Sequence, residues 1–203
     1  LDHEAKFRVW GGDLMKEQGA TLVKHYRDLA FMGFIEVILN IRSIKENFKI
    51  CKSDMLEFKP DLLILVDYPG FNLRIAKFAH EKKLKTYYYI SPKIWAWKKS
   101  RAFNIKKYID KMFVIFPFEK DFYKTYNYSV EYCGNPLLDE IEKKKPLLLN
   151  KTDFLLQNKL ENRPIIALLA GSRKQEISLI LPEMLKMLKH FPEFQFVIAV
   201  APS

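Results

Sequence analysis

This chain of 203 residues has few cysteines, and its histidines form no metal-binding pattern. The two cysteines, Cys51 and Cys133, lie far apart in sequence and outside any CxxC pattern. None of the four histidines has the spacing of a metal-ligand pair. The sequence therefore predicts no zinc site and no disulfide framework, but two free, buried thiols in a reducing cytoplasm.

Long apolar runs are also missing. No stretch approaches the roughly 20 apolar residues that a membrane-spanning helix requires, and no segment has low complexity. The chain opens on Leu1-Asp2-His3-Glu4, which is neither a signal peptide nor a methionine start. We therefore expect the chain to be part of a longer protein, with no segment in it that spans a membrane.

The overall composition is typical of a soluble globular protein with a strong basic bias. Hydrophobic residues make up 49% and charged residues 29%, which is enough for one large domain or two small ones. The formal net charge is +10, and lysine supplies most of it. This charge suits nucleic acid, an anionic membrane or a phosphorylated substrate, and charge alone does not choose among them.

The chain is organised around a strand-to-turn segment at residues 61–74. Residues 62–66 are an unbroken apolar run, which predicts a strand buried on both faces of a parallel sheet. Asp67 ends the run, and Pro69-Gly70 turns the chain towards a helix predicted over 73–83. Open α/β sheets bind ligands at the carboxyl ends of their strands, so Asp67 is a candidate functional carboxylate. The alternative is that Asp67 only caps the turn.

Strand-like and helix-like segments alternate along the rest of the chain. This order predicts an α/β fold with open parallel sheets and crossover helices. The other predicted strands cover 6–10, 20–23, 85–90, 111–116, 130–133, 165–169 and 194–200, and the other predicted helices cover 13–18, 31–52, 102–108, 118–123 and 171–190.

A change of composition over residues 140–163 predicts a domain boundary. We assign 1–145 to an N-terminal domain, 146–163 to a linker and 164–203 to the start of a C-terminal domain. A single βαβ unit cannot cover both faces of its own sheet, so we expect the second domain to be truncated.

The predicted helix over 31–52 carries more apolar surface than one core face needs. Large apolar residues bordered by basic ones are typical of a helix in a membrane interface. The alternative is a helix sandwiched between the sheet and a neighbouring element. The apolar residues are Phe31, Met32, Phe34, Ile35 and Ile38, and the basic ones are Arg42, Lys45 and Lys49.

Residues 165–177 combine a buried strand, a turn of small residues and a helix start. Backbone N–H groups at such a helix start can bind an anion. Gly171 permits close approach of the backbone, Ser172 can cap the helix or bond a phosphate oxygen, and Arg173 can clamp phosphate. Glu176 can hold Arg173 or complete a capping interaction. A plain strand-to-helix connection is the alternative.

Two tryptophans, Trp95 and Trp97, follow the strand predicted over 85–90 and are interleaved with basic residues. Exposed indole rings in this setting can line a sugar or acyl pocket or stack on bases. The alternative is an aromatic wedge that fills the top of the sheet.

Several segments together resemble the lipid-A-disaccharide synthase family in their order and spacing, over a range from about residue 7 to the last residue. The Ser-Pro-x-x-Trp-Ala-Trp string is the most specific of them. The segments are DYPGFN at 67–72, YISPKIWAW at 89–97 with Arg101, FPFE at 116–119 with Phe122-Tyr123, GNPL at 134–137, and LLAGSR at 168–173 with Glu176-Ile177.

The resemblance implies an inverting glycosyltransferase of GT-B fold, in which two Rossmann-like domains face each other across a cleft. Such an enzyme transfers 2,3-diacylglucosamine from its UDP conjugate to 2,3-diacylglucosamine 1-phosphate, without a metal or other cofactor. It also implies a cytoplasmic protein that associates peripherally with the inner membrane and has no nucleic-acid partner. The segment that contains Phe31 and Phe34 resembles the family's membrane-facing segment.

The resemblance also assigns roles to residues. Asp67 matches the catalytic carboxylate, which takes the proton from the acceptor's 6-hydroxyl. Arg173 matches an arginine that contacts phosphate, with Gly171, Ser172 and Glu176 completing the donor diphosphate site. The cleft and acceptor positions are Asn72, Ser91, Trp95, Trp97, Arg101, Glu119 and Asn135.

The sequence departs from the family pattern in four places. Ala170 replaces a proline, and Asn135 stands where a histidine is common. The family's opening Ser-Gly-Glu loop would lie upstream of Leu1, and its Ser-Gly-Thr-like donor segment would lie beyond Ser203. We therefore expect this chain alone to be inactive.

Two other functions are compatible with parts of the sequence. One is another GT-B enzyme, such as a UDP-sugar epimerase or a polyprenyl-linked transferase, but the tryptophan string and the hydrophobic helix argue against it. The other is a non-catalytic basic module that binds a membrane or single-stranded nucleic acid. That function does not explain a buried carboxylate at a strand end, which is how we expect Asp67 to be placed.

Overall fold

The computed structural model describes residues 4–28 and 41–200. The chain divides into two compact units, Leu1–Leu137 and Leu138–Ser203. The domain bounds assigned from the sequence, 1–145 and 164–203 with a linker over 146–163, stay a prediction.

The first unit begins with a short parallel strand pair. Strands β1 (Arg8–Gly11) and β2 (Thr21–His25) are joined through helix α1 (Asp13–Glu17). The bounds predicted for these elements, 6–10, 13–18 and 20–23, lie within two residues of the observed ones at each end.

Helix α2 spans Ile41–Phe58 and runs six residues past the predicted end at residue 52. The predicted stretch before it, 31–40, lies outside the described residues. The predicted membrane-facing residues Phe31, Met32, Phe34, Ile35 and Ile38 lie there too, so their role stays a prediction. Among the helices that the structure describes, none is long and apolar enough to cross a bilayer.

The main sheet of the first unit has four parallel strands in sequential order. They are β3 (Leu63–Val66), β4 (Thr86–Tyr89), β5 (Lys111–Val114) and β6 (Glu131–Tyr132). Helices α3 (Pro69–Glu81), α4 (Arg101–Tyr108) and α5 (Phe118–Lys124) connect them. The predicted parallel sheet with crossover helices is therefore confirmed.

Only one face of strand β3 is buried. Leu65 lies opposite Tyr88 in register, Tyr88 lies opposite Met112, and all three are at most 5% exposed. On the other face, Ile64 is 53% exposed and Val66 is 45% exposed. The prediction of a strand buried on both faces is wrong, because among the described residues only the face that carries Leu65 is covered.

The two cysteines differ in environment. Cys51 on α2 is buried, and burial raises the pKa of its thiol to about 12. Cys133 is exposed. The prediction of two buried thiols is wrong for Cys133, because this residue follows the two-residue strand β6 at the edge of the sheet.

The second unit contains one βαβ crossover. Strands β7 (Ile165–Leu168) and β8 (Gln195–Ile198) are parallel and are connected through the helix Lys174–Leu185. Helix Pro136–Lys144 (α6) crosses from the first unit into the second. Helix α7 (Lys151–Gln157) lies inside the predicted linker. The crossover helix Lys174–Leu185 is α8.

Candidate functional site

The turn after strand β3 has an unusual backbone. Asp67 and Tyr68 are consecutive non-glycine residues with φ of 44° and 43°. Each such residue costs of order 1–3 kcal/mol and persists only where its surroundings hold it. Pro69 then occupies the first position of α3, where its missing N–H costs no hydrogen bond.

Contacts from two other elements hold this turn. The Asn72 side-chain amide on α3 donates to the Asp67 carbonyl at 2.8 Å and to the Val66 carbonyl at 3.0 Å. The Tyr88 hydroxyl on β4 also donates to the Asp67 carbonyl. Asn72, predicted as a cleft residue, thus positions the backbone that carries Asp67.

The Asp67 side chain is exposed at the carboxyl end of β3. The expectation of a buried carboxylate is wrong, because the chain is exposed from Val66 to Tyr68, where β3 ends. Within the described residues, the Asp67 carboxylate joins no ion pair and accepts no hydrogen bond. It is therefore available to accept a proton from a bound ligand.

Tyr88 is a site residue that the sequence analysis missed. It is fully buried. Burial raises the pKa of its hydroxyl, and the negative charge of Asp67 raises it further, whereas Asn72 lowers it. The hydroxyl therefore stays protonated and keeps donating to the Asp67 carbonyl. The alternating pattern of strand β4 was the available signal, since it places Tyr88 on the face opposite Tyr87 and Tyr89.

A buried polar cluster lies beside the ends of β4 and β5. Ser91 Oγ lies 2.7 Å from the Tyr123 hydroxyl. The Phe116 N–H donates to Glu119 Oε2 at 3.1 Å, and Glu119 is 1% exposed. Burial raises the pKa of Glu119, although hydrogen bonds from Phe116 and Ser91 oppose the shift. Ser91 and Glu119 thus hold the loops at this sheet edge. Tyr123, which belongs to a family segment but received no role from the sequence, completes the cluster.

The two tryptophans have different environments. Trp95 is half-buried and packs edge-on against Phe118, with ring centroids 5.0 Å apart. In the described part of the chain, no acceptor meets the geometry of a hydrogen bond to Trp95 Nε1. The N–H nevertheless lies close enough to Glu119 to lower the pKa of that carboxyl. Trp97 is 57% exposed, and Arg101 lies 5.4 Å from its ring centroid. Trp97 is therefore open to a ligand, while Trp95 serves mainly as packing.

Asn135 has a local structural role. Its Oδ1 accepts a hydrogen bond from the Leu137 N–H at 3.0 Å, at the start of helix α6. An asparagine in this place satisfies one of the free N–H groups of a helix start. Contact of Asn135 with a substrate stays a prediction.

The turn after β7 in the second unit brings the predicted anion-binding residues together. Gly171 has φ of +102°, and a Cβ atom there would lie 2.6 Å from Glu176 Oε2. The backbone N–H groups of Ser172 and Arg173 both donate to Glu176 Oε2 at 3.3 Å. The Arg173 guanidinium donates to Glu176 Oε1 at 2.9 Å.

Glu176 therefore occupies the place that the sequence analysis assigned to phosphate. Its carboxylate receives the donors of a helix start and of an arginine, which are the groups that bind anions. The predicted capping interaction between Glu176 and Arg173 is present. Whether this turn faces Asp67 across a cleft stays a prediction.

Across residues 4–28 and 41–200, no three His, Cys, Asp or Glu side chains are close enough together to hold a metal ion.

Comparison with known protein families gives a match over nearly the whole chain. The family described as lipid-A-disaccharide synthetase matches residues 2–203. Curated relatives named lipid-A-disaccharide synthase include one from Trichlorobacter lovleyi, 40% identical over 95% of this chain and 51% of its own length. Another, from Coxiella burnetii, is 36% identical over 99% of this chain and 54% of its own length. The chain spans about half the length of the curated relatives it matches.

Solved structures share the fold at low sequence identity. A UDP-GlcNAc 2-epimerase from Neisseria meningitidis, solved with UDP-GlcNAc bound, has a TM-score of 0.57 and 16% identity over 93% of this chain and 54% of its own. S. aureus MnaA, solved with UDP, has a TM-score of 0.58 and 9% identity over 94% of this chain and 51% of its own. These likenesses confirm the predicted α/β fold of Rossmann-like, GT-B type and say nothing of the reaction.

Proposed function

This chain belongs to the lipid-A-disaccharide synthase family, and on that basis we propose that its protein is a glycosyltransferase of lipid A biosynthesis. The reaction transfers 2,3-diacylglucosamine from its UDP conjugate to 2,3-diacylglucosamine 1-phosphate. The products are lipid A disaccharide 1-phosphate and UDP. The epimerase alternative gains no support, since the epimerase likeness extends only to the fold.

Asp67 acts as the general base in this proposal. The acceptor's 6-hydroxyl oxygen attacks the anomeric carbon of the donor sugar while the bond from that carbon to the diphosphate oxygen breaks. Asp67 takes the hydroxyl proton, and UDP leaves with the bonding electrons. A base must be within hydrogen-bond reach of the proton it takes and must not be neutralised by another partner.

The state of the Asp67 carboxylate is the observation that supports this role best. It is exposed and unpaired among the described residues, yet its backbone is fixed through Asn72 and Tyr88. A carboxylate on a fixed backbone that no partner neutralises needs little reorganisation before it takes a proton. Trp97 and Arg101 offer an exposed ring and a cation for the acceptor sugar.

The donor diphosphate binds at the β7–α8 turn in this proposal. Arg173 and the N–H groups of Ser172 and Arg173 stabilise the negative charge on the leaving diphosphate, and Gly171 permits its close approach. In this proposal the diphosphate takes the place of the Glu176 carboxylate.

We also propose that the protein works at the cytoplasmic face of the inner membrane. The support is the apolar set Phe31, Met32, Phe34, Ile35 and Ile38 in the sequence, beside basic residues. Changing Phe31, Phe34 and Ile35 to serine should reduce co-sedimentation with anionic liposomes. Unchanged co-sedimentation would assign these residues to the protein core.

The central test is Asp67→Asn in the full-length protein, with UDP release as the measure of turnover. Loss of a general base should lower turnover by at least about a hundredfold. The Michaelis constants should change little, because the amide keeps the size of the carboxyl group.

Asp121→Asn is the matched control. Asp121 is an exposed aspartate on α5 of the same unit, so this variant removes the same charge away from the turn. Circular dichroism verifies that both variants fold. Wild-type turnover by Asp67→Asn would remove Asp67 from the catalytic role.

A further inference from the structure

A basic groove lies between helices α3 and α4, with one wall contributed by α2. Its volume is about 670 Å³. Its described lining residues include four basic side chains, Lys52, Arg74, Lys77 and Arg101, and one carboxylate, Glu81.

The charges of the groove do not cancel. Lys77 lies 4.0 Å from Glu81, but both side chains are more than half exposed, so this pair contributes little. Within residues 4–28 and 41–200, none of the other three cations has a carboxylate within salt-bridge distance. The groove therefore carries a clear excess of positive charge and favours an anionic ligand.

Aromatic rings hold three of these cations in place. Lys52 Nζ lies 4.9 Å from the centroid of the Phe78 ring. The guanidinium of Arg74 lies 5.4 Å from the Phe48 centroid, and that of Arg101 lies 5.4 Å from the Trp97 centroid. Contacts of this kind restrict long side chains, so less freedom is lost when an anion binds.

One end of the groove lies beside the Asp67 turn. Pro69 and Gly70 line the groove. Gly70 follows Asp67 by three residues, so their Cα atoms are at most about 11 Å apart. A Cβ atom on Gly70 would meet nothing within 4 Å, which shows that the groove is open there.

We propose that this groove binds the phosphate monoester of the acceptor sugar. This inference rests on the proposed function, in which the acceptor carries a phosphate at C1 and reacts through its 6-hydroxyl. The two groups lie at opposite ends of the sugar. The groove holds the phosphate through Arg74, Lys77 and Arg101, and this contact turns the 6-hydroxyl towards Asp67. Arginine suits the role because its planar fork can contact two phosphate oxygens at once.

The test compares two ligands that differ only in the phosphate. Binding of 2,3-diacylglucosamine 1-phosphate and of 2,3-diacylglucosamine, each in neutral detergent micelles, is measured by titration calorimetry. We expect this protein to bind the phosphorylated sugar at least about tenfold more tightly, which is about 1.4 kcal/mol. The double variant Arg74→Gln/Lys77→Gln should reduce this preference to within about twofold.

Lys120→Gln/Lys124→Gln is the matched control. Both lysines are exposed on α5, outside the groove, and the variant removes the same total charge. It should keep the preference for the phosphorylated sugar. An equal loss of preference in both double variants would overturn the proposal, because only the net charge would then matter.

Two further measurements separate the possible sources of phosphate. If inorganic phosphate displaces the phosphorylated sugar at equal affinity, the groove is a free-phosphate site and the proposal is wrong. Phosphatidylglycerol vesicles test for a lipid headgroup. If the groove variant loses vesicle binding but keeps its preference for the phosphorylated sugar, the groove is a headgroup site and the proposal is again wrong.

The same variant separates this inference from the proposed function. If the full-length protein transfers sugar and the groove variant has an unchanged Michaelis constant for the acceptor, only the groove assignment fails. If no transfer occurs but the preference for phosphate still depends on Arg74 and Lys77, only the reaction fails.

Discussion

The two strand-to-helix turns of this protein solve the same structural problem in opposite ways. Both follow a parallel strand and precede a helix, at the sheet edge where α/β proteins bind ligands. The turn after β3 uses two left-handed non-glycine residues, Asp67 and Tyr68, whereas the turn after β7 uses Gly171. The first thus carries backbone strain that the second avoids.

The contacts that hold the two turns also come from different places in the fold. A tyrosine from the next strand, Tyr88, supports the Asp67 turn. The Arg173 turn is supported from within, because Glu176 on the same helix accepts its hydrogen bonds. Among the described residues the Asp67 carboxylate is therefore unpaired, whereas the hydrogen-bond donors of the second turn are occupied by Glu176.

Among changes to the contacts that hold the two turns, removing the support from β4 should have the largest effect. Tyr88→Phe deletes one hydrogen bond to the Asp67 carbonyl, and we expect a loss of about 1–2 kcal/mol in the free energy of unfolding. Turnover of the full-length protein should fall by about tenfold, because Asp67 is held less well. Urea unfolding and UDP release measure the two effects.

The neighbouring Tyr87→Phe is the control. Tyr87 lies on the same strand and faces the other side of the sheet, and no hydrogen bond of its hydroxyl occurs among the described residues. Removal of the Tyr87 hydroxyl should change the free energy of unfolding by less than about 0.5 kcal/mol. Equal effects of both variants would mean that the Asp67 turn does not depend on Tyr88.

Local patterns in the sequence located both turns but not what holds them. Residues 62–70 and 165–173 each combine an apolar run with a turn signal, and both signals are local. The exposure of Ile64 and Val66 depends on which elements cover the sheet, and no local pattern records that. The hydrogen bond from Tyr88 to Asp67 joins residues 21 positions apart, so it becomes visible only once the strands are paired.

The resemblance to a family predicted individual cleft residues but not the contacts that they make. It placed Asn72, Ser91 and Glu119 in the cleft as a group. In the structure Asn72 fixes the Asp67 backbone, while Ser91 and Glu119 are buried in a hydrogen-bonded cluster. These roles depend on burial and on side-chain direction, which a motif does not specify.

The buried Glu119 should make the stability of the first unit depend on pH. Burial raises its pKa in the folded state above the ordinary value of 4.5, so the folded protein binds this proton more tightly than the unfolded chain does. The resulting stabilisation is complete below about pH 4.5 and is lost as the pH rises through the folded-state pKa. Glu119→Gln cannot ionise and lacks this dependence.

The measured quantity is the free energy of unfolding of wild type minus that of Glu119→Gln. It should decrease as the pH is raised from about 4 to about 8. Asp121→Asn, exposed on the same helix, controls for the loss of one negative charge. A difference that stays constant or increases with pH would contradict the burial of Glu119 as a neutral acid.

The smallest effect is expected at the turn after β7, where Glu176 accepts the hydrogen bonds of the turn. Glu176→Gln keeps an amide oxygen that can cap the helix but removes the charge paired with Arg173. A diphosphate then no longer displaces a carboxylate, so UDP should bind up to about fivefold more tightly, in line with the small energy of an exposed ion pair.

Glu183→Gln is the control, because Glu183 pairs with Lys186 on the same unit. Weaker UDP binding by Glu176→Gln than by Glu183→Gln would show that Glu176 orients Arg173 for the ligand and does not compete with it.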